Sequence, residues 1–306
     1  MPKLSIIIPT HRRADILQTC LRHLERQTVA PDIEAIVVSD GPDEKTAALF
    51  AKNDWQIPVT FLEIPKSQQS VARNEGVKRA QGTFVLFIGD DIFLEPDACE
   101  WHLQNLTTGR GVAFPEYRDS HLRDRLSVDG NIAVLGFTTW DPAVGITPVM
   151  RWLETSGWQF GYPAIARYAH TVIPSDLQHR FTYTSHISLP REIAVKHPFR
   201  TDVHLYGWED IEWGMRLRDA GVRLYYEPHA KALHHHRITM EDSLRRIETL
   251  GRSAVEIAAK VPEFDRVPKG WKILCYRILG LLSTMSGLHR RAFLRGITSA
   301  QRSISL

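Results

Sequence analysis

The sequence predicts an α/β fold: a mainly parallel central sheet with helices on both faces, followed by a helical C-terminal extension. Three observations carry this. Strand and helix patterns alternate along the first hundred of the 306 residues. The strand segments are near-continuous apolar runs, as expected of strands buried on both faces. Each run is closed by a polar, Gly- or Pro-bearing stop. Alternation at this spacing implies parallel strands joined by crossover helices.

Residues 4–8 form the first apolar run, ended by Pro9. Residues 14–27 place Ile16, Leu17, Cys20, Leu21 and Leu24 at helical spacing. A second strand over 33–38 stops at Ser39-Asp40-Gly41-Pro42, and 43–53 reads as a helix. A third strand covers 59–64, a helix covers 70–80, and a fourth strand over 83–88 stops at Gly89-Asp90-Asp91. From 107 to 181 the pattern is irregular. Regular structure returns with a strand over 182–189, a helix over 208–219 closed by Gly221, a short strand over 222–226 and a long helix over 239–260. Thr239 suits the cap of that last helix, and Glu241 and Asp242 suit its positive first turn.

Hydrophobic residues make up 43% and charged residues 24% of the chain. This composition excludes collagen-like, low-complexity and wholly disordered classes. No apolar run reaches the roughly 18 residues of a membrane-spanning helix. The first ten residues are too short an apolar stretch for a secretory leader and read as a strand. Cys20, Cys99 and Cys275 lack CxxC spacing, which argues against a disulfide framework and fits a reducing cytoplasm. The net charge of +3 conceals an asymmetry. Residues 266–306 hold eight Lys or Arg and no acid, leaving 30 basic against 35 acidic residues in the first 265.

Ligands of parallel α/β sheets bind beyond the carboxyl ends of the strands. Three strand ends here are polar: Thr10-His11-Arg12, Ser39-Asp40-Gly41 and Gly89-Asp90-Asp91. Adjacent carboxylates repel unless a cation or proton shares the site, and hard oxygen donors favour Mg²⁺ or Mn²⁺. Neither GxxxxGK[ST] nor GxGxxG follows the first strand, so P-loop and dinucleotide folds lose their main support. Gly207-Trp208-Glu209-Asp210-Ile211-Glu212 puts three carboxylates in a helix first turn behind a Gly-Trp pair. Either it is a plain acidic N-terminal turn with Glu212 closing the cap, or Trp208 offers a stacking face beside working carboxylates. His234-His235-His236 is either a solvated cluster or the source of an imidazole that completes a metal site begun at Asp91. Between Phe137 and Tyr183, nine aromatics fall in 47 residues, against 9% in the whole chain. They are either core anchors of a loop-rich region or rings lining a sugar-binding groove.

The segments SIIIPTHRR, VVSDGPDE, SVARNEGVKRAQGTFVLFIGDDI and YGWEDIEWGMRLRDAG, in this order, resemble family 2 glycosyltransferases. These are inverting enzymes of the GT-A fold that use nucleotide sugars. The likeness covers about residues 3–105 strongly and 182–250 moderately. It implies a nucleotide-sugar-binding half over 1–106, an acceptor-binding and catalytic half over 107–260, and a basic amphipathic tail over 261–306. By resemblance, Thr10, Arg12, Asp40 and Arg73 meet the nucleotide, Asp40 at a uracil ring and Arg73 near base and diphosphate. Gly89-Asp90-Asp91 stands where the family has its DxD motif but lacks the first carboxylate. The resemblance then implies Asp91 on the metal (Mn²⁺ or Mg²⁺) and Asp90 toward the nucleotide. Asp210 matches the general base, and Trp208 and Glu209 resemble acceptor-side residues of a galactosyltransferase-like branch. His234 aligns with a metal-binding His of some members, with His236 the alternative. His186 stands where many members have Asn and inherits no role.

The resemblance thus implies transfer of a sugar from a nucleotide donor, UDP-linked by preference, to a carbohydrate or lipid-linked glycan acceptor in polysaccharide or glycoconjugate synthesis. A sugar nucleotidyltransferase would need a Gly-rich loop after the first strand, and PTHRRAD has no Gly. A non-catalytic carbohydrate-binding protein is the other alternative. The tail reads as two amphipathic helices that pack on the body or a second subunit, or that rest on the inner face of a membrane. No nucleic-acid recognition motif accompanies its charge.

Overall fold

The computed structural model describes residues 1–51, 54–108, 131–203 and 206–304. The four expected strands are β1 (Leu4–Thr10), β2 (Ile33–Asp40), β3 (Val59–Ile64) and β4 (Phe84–Ile88). They pair in the order β3-β2-β1-β4, all parallel. Side chains alternate across a strand, so β1 divides its residues between two cores. Leu4, Ile6 and Ile8 pack with Leu17, Cys20, Leu21 and Leu24 of helix α1 (Ala14–Glu25). Ile7 faces the other way, onto Ala72 and Val77 of α3 (Gln69–Arg79). Helix α2 (Glu44–Ala51) follows β2, and α4 (Ala98–Thr108) buries Ala98, Cys99 and Leu103 on the α1 side.

Beyond β4 the sheet continues through the second half of the chain. β8 (His186–Pro190) joins β4 antiparallel and also pairs antiparallel with β6 (Ile132–Trp140). β6 runs parallel to β9 (Arg223–His234), which pairs antiparallel with β5 (Ile92–Leu94) and β7 (Thr171–Val172). The described residues thus form one nine-stranded sheet, with its parallel half where the sequence alternates strand and helix.

Several elements depart from the sequence expectations for identifiable reasons. The 107–181 stretch, read as irregular, contains the nine-residue β6 and helix α5 (Pro148–Ser156); residues 109–130 lie outside the described set. Gly136 interrupts β6 as a strand pattern, yet a Cβ there would strike the His186 ring. The glycine marks a close approach rather than a break. The strand expected over 222–226 runs on to His234, because Pro228 sits in a bulge where its missing N–H is not needed. The strand expected from 182 begins only at His186, after a 3₁₀ turn at His179–Phe181. Helix α6 (Arg191–Lys196) follows it, and α7 (Glu209–Asp219) carries the acidic turn.

Helix α8 (Met240–Lys260) starts with the expected cap. Thr239 Oγ1 accepts from the Asp242 N–H, and the Asp242 carboxylate accepts from the Thr239 N–H, each at 3.2 Å. The tail forms two helices, α9 (Trp271–Gly280) and α10 (Met285–Ile304). Ile247, Ala254 and Ile257 of α8 pack against Ala292, Phe293 and Ile297 of α10. Gly251 and Gly296 permit this close crossing, since a Cβ at either would strike a backbone carbonyl of the partner helix, at Phe293 and Glu248 respectively. Gly251→Val should therefore force the helices apart and lower stability by about 1–3 kcal/mol. Thermal unfolding checks this, and an unchanged midpoint would contradict the tight crossing.

Candidate active site

The carboxyl ends of β1, β2 and β4 lie side by side, so Thr10, Asp40 and Asp90 share one rim. They open into a cleft of about 770 Å³ whose lining also includes Trp208, Glu209 and Asp210. Residues more than a hundred positions apart therefore face one space.

Asp90 and Asp91 are both buried. Thr10 Oγ1 donates to Asp90 Oδ2 at 2.7 Å. The Arg13 guanidinium bridges the pair, 2.7 Å from Asp90 Oδ1 and 2.6 Å from Asp91 Oδ2. Burial pushes the Asp90 carboxyl up to about 6, with the Arg13 charge opposing and the Asp91 charge adding to the rise. Burial also acts on Asp91, but hydrogen bonds from His234 and His236 and the Arg13 charge outweigh it and hold that carboxyl well below the usual range. One member of the pair is thus disposed to carry the negative charge.

The His triplet splits by strand geometry. His234 Nε2 lies 3.6 Å and His236 Nδ1 3.2 Å from Asp91 Oδ2. His235 points elsewhere: its ring bonds Asp141 at 2.6 Å and stacks on Phe93, while its N–H donates to the Asp91 carbonyl at 2.7 Å. Trp140 stacks on His234 with centroids 5.0 Å apart and planes 15° apart, fixing its ring. The donor atoms of Asp91, His234 and His236 fall within 4.8 Å of one another. One carboxylate and two imidazoles make a chemically sound set for a divalent first-row cation.

Asp40 accepts from Lys66 Nζ and the Ser67 N–H, each at 2.6 Å. Burial raises its pKa, but these bonds outweigh burial and hold the carboxyl below its ordinary value. Arg73 is buried on α3, its guanidinium 3.4 Å from Glu209 Oε1 and 5.5 Å from the Phe199 ring. Gln69 also donates to Glu209, so α3 holds the first turn of α7. Arg12 has a left-handed φ of +55° and an exposed side chain, and it borders a separate depression beside Pro42 and Asp43. The adjacent Arg13 reaches the cleft instead.

Two unusual backbone positions precede α7: Gly207 at φ +101° and Trp208 at φ +70°. They aim the Trp208 indole at the C-terminal helices, where Nε1 donates to the Leu250 carbonyl at 2.8 Å. Asp210 follows, half-buried, with Oδ1 accepting from the Ile211 N–H at 2.8 Å. Thr182 Oγ1 donates to the Asp210 carbonyl at 2.7 Å. Burial and then the Glu209 charge push the Asp210 carboxyl up to about 7, against the pull of Arg73. Glu212 closes no cap; it pairs instead with Arg216, Nε to Oε1 at 2.9 Å.

The aromatic stretch divides between the core and the cleft. Trp140, Tyr162 and Phe181 are buried core rings, whereas Trp158, Phe160 and Tyr183 line the cleft. Arg13, Gln69 and Arg266 were not singled out from the sequence, although all three line the cleft. Only Arg13, beside Arg12 on the first-strand loop, carried a local signal.

Structures that share this architecture define the fold. The mannosyltransferase PcManGT of Pyrobaculum calidifontis, solved with GDP-Man and Mn²⁺, superposes with TM-score 0.55 at 17% identity, covering 99% of this chain and 74% of that one. Staphylococcus aureus TarS 1–349, solved with UDP-GlcNAc, gives 0.51 at 17% identity, covering 84% and 66%. The fold is GT-A. Residues 5–127 match the model of glycosyl transferase family 2. A Campylobacter jejuni GalNAc(5)-diNAcBac-PP-undecaprenol beta-1,3-glucosyltransferase is 30% identical over 117 residues, 37% of this chain and 38% of that protein. The first part of the chain is thus similar to glycosyl transferase family 2. Its matches span only 27–38% of the first curated relatives' length.

The Asp210 environment makes a measurable claim. Its carboxyl should titrate near pH 7 by carbon-detected NMR, and Glu209→Gln should lower that value by removing a like charge. Titration in the ordinary carboxylate range would contradict the described surroundings.

Proposed function

We propose that the chain transfers a sugar from a nucleoside diphosphate donor to an acceptor hydroxyl, with inversion at the anomeric carbon. The observation that carries this reading is the shared cleft: a buried carboxylate pair with two imidazoles on one wall and a raised-pKa aspartate on the other. Asp91, His234 and His236 would hold a divalent cation, and their mixed oxygen and nitrogen donors favour Mn²⁺ over Mg²⁺. Bound there, the cation neutralises charge that develops on the departing diphosphate. Thr10, Asp40 and Asp90 border the nucleotide side, with Asp40 already pre-oriented by Lys66 and Ser67. UDP is the preferred nucleotide because of the resemblance at Asp40 and the UDP-GlcNAc complex of a structural neighbour.

Asp210 is the general base. An acceptor hydroxyl attacks poorly while it keeps its proton, and a carboxylate near pKa 7 removes it more readily than an ordinary one. Arg73 and Gln69 fix the preceding Glu209, which sets the base against the donor side. Trp158 and Tyr183 offer faces for acceptor sugar rings. Arg246 and Arg266 border the same end of the cleft and suit an acceptor that carries phosphate, such as a lipid-linked glycan.

The tail agrees with such an acceptor. Trp271, Leu274 and Ile278 on α9 are 72%, 57% and 56% exposed, and Leu281 just beyond is 78% exposed. Arg277, Arg291 and Arg295 surround a depression that includes Leu281. Among the described residues no helix is long and apolar enough to cross a membrane. An apolar face ringed by cations matches the surface of an anionic bilayer.

Asp210→Asn should lower kcat by about 10²–10⁴-fold while UDP affinity is retained. In the unmodified chain, kcat/KM should fall tenfold per pH unit below about 7, because only ionised Asp210 accepts the proton. Joint loss of turnover and nucleotide binding would assign Asp210 a structural role, and a flat acid limb would exclude it as the base. On sucrose gradients the full chain should float with phosphatidylglycerol vesicles, remain down with phosphatidylcholine, and lose flotation in Leu274→Glu/Ile278→Glu. Equal, negligible flotation on both lipids, or a dimer that the double substitution dissociates, would remove the membrane reading.

A further inference from the structure

A second group of metal-type donors lies outside the cleft, on the strand that ends at His234. β6 and β9 pair regularly as far as Gly136 opposite Glu227, and the next pair is Phe137 with Lys231. Residues 228–230 therefore stand out of the ladder, and bulges of this kind re-aim side chains. His229, inside the bulge, turns its Nδ1 to 3.3 Å from Glu227 Oε1 and donates its own N–H to that oxygen at 3.0 Å. His170 approaches from the segment before β7. Its N–H donates to the Tyr226 carbonyl at 2.9 Å, and its Nδ1 lies 3.1 Å from Glu227 Oε1 and 3.3 Å from Oε2. The backbone of His170 is left-handed, φ +57°, a conformation few residues bearing a side chain adopt.

Glu227 is fully buried. Asn105 of α4 donates to Oε2 at 3.2 Å. Among the described residues no lysine or arginine pairs with this carboxylate. Among the described residues its charge meets two imidazoles, an amide and a backbone N–H, and burying a carboxylate is costly unless positive charge compensates it. A divalent cation supplies that partner. The donor atoms of His170, Glu227 and His229 lie within 4.8 Å of one another. The 3.1–3.3 Å separations are close to the roughly 3.3 Å edge of a tetrahedron with bonds of about 2.0–2.1 Å, the usual Zn–N and Zn–O lengths. Two imidazoles and one carboxylate leave a fourth position of a tetrahedral ion for another ligand, and His229 is exposed. Asn105 is the outer partner that orients the carboxylate.

We propose that His170, Glu227 and His229 form a second divalent-cation site, of zinc type, that clamps the segment before β7 onto the bulge of β9. None of the three lines the catalytic cleft, so the site stands or falls apart from the function proposed above.

Cobalt titration of the full chain tests this, because tetrahedral Co²⁺ absorbs visibly and can be counted. In an Asp91→Asn/His236→Gln background, which removes two donors from the cleft, one Co²⁺ per chain should still bind with tetrahedral absorption and be displaced by Zn²⁺. Adding His170→Gln/His229→Gln should abolish that signal with the far-UV dichroism unchanged. In the otherwise unmodified chain, His170→Gln/His229→Gln should lower the cobalt count by one. Absence of bound Co²⁺ in the first background, or a signal that persists without His170 and His229, would overturn the site.

Discussion

Two neighbouring carboxylates at the buried end of β4 set the terms for the rest of the molecule. Asp90 and Asp91 cannot both remain ionised in a low-dielectric setting without positive or hydrogen-bonding partners. The fold supplies these partners from three directions: Thr10 from the neighbouring strand, Arg13 from the start of α1, and His234 and His236 from the end of β9. The last pair explains why the second half of the chain must complete the sheet. Without β9 beside β6 and β5, Asp91 would have no imidazole within reach. Arg13 occupies the same oxygen that faces both imidazoles, so the pair is electrostatically closed before any ligand arrives. A cation entering there has to share or displace that contact.

The second wall is tied to the first through α3. Arg73 and Gln69 extend from the first half of the chain to Glu209, and the Asn74 side chain donates to the Phe199 carbonyl at 2.9 Å. These contacts position Asp210 without touching it directly. Burial and the neighbouring Glu209 then keep its proton affinity high. A carboxylate of this kind costs the fold stability as pH rises toward neutrality, yet it is well matched to accepting a proton there. The left-handed pair Gly207-Trp208 serves the same end, since it turns the indole away to the C-terminal helices and leaves the first turn of α7 facing the cleft.

The first half of the fold was legible because its strands are apolar runs with polar stops, which mark β1, β2, β3 and β4. Helix α8 was legible from its capping residues. β6 was not, because its central glycine answers to the His186 ring across the sheet, a contact with no sequence signal. The extension of β9 was hidden by Pro228, which in a strand pattern signals an end but here marks a bulge. At the site, Asp40, Asp90, Asp91 and Asp210 could be picked from spacing and resemblance. The resemblance pointed to Arg12, yet Arg13 lines the cleft, since which of two adjacent arginines enters it depends on a single left-handed φ. His234 and His236 share one face through their two-residue spacing, whereas His235 turns to Asp141.

The account rests on opposite walls of one cleft serving one donor molecule. Anomalous diffraction at the manganese edge, from crystals soaked with Mn²⁺ and a non-hydrolysable UDP-sugar analogue, tests this most directly. The account predicts a single strong cleft peak within bonding distance of Asp91 and the two imidazoles, with the anomeric carbon turned toward the Asp210 carboxylate. Manganese bound elsewhere, or a sugar whose anomeric carbon faces away from Asp210, would contradict it.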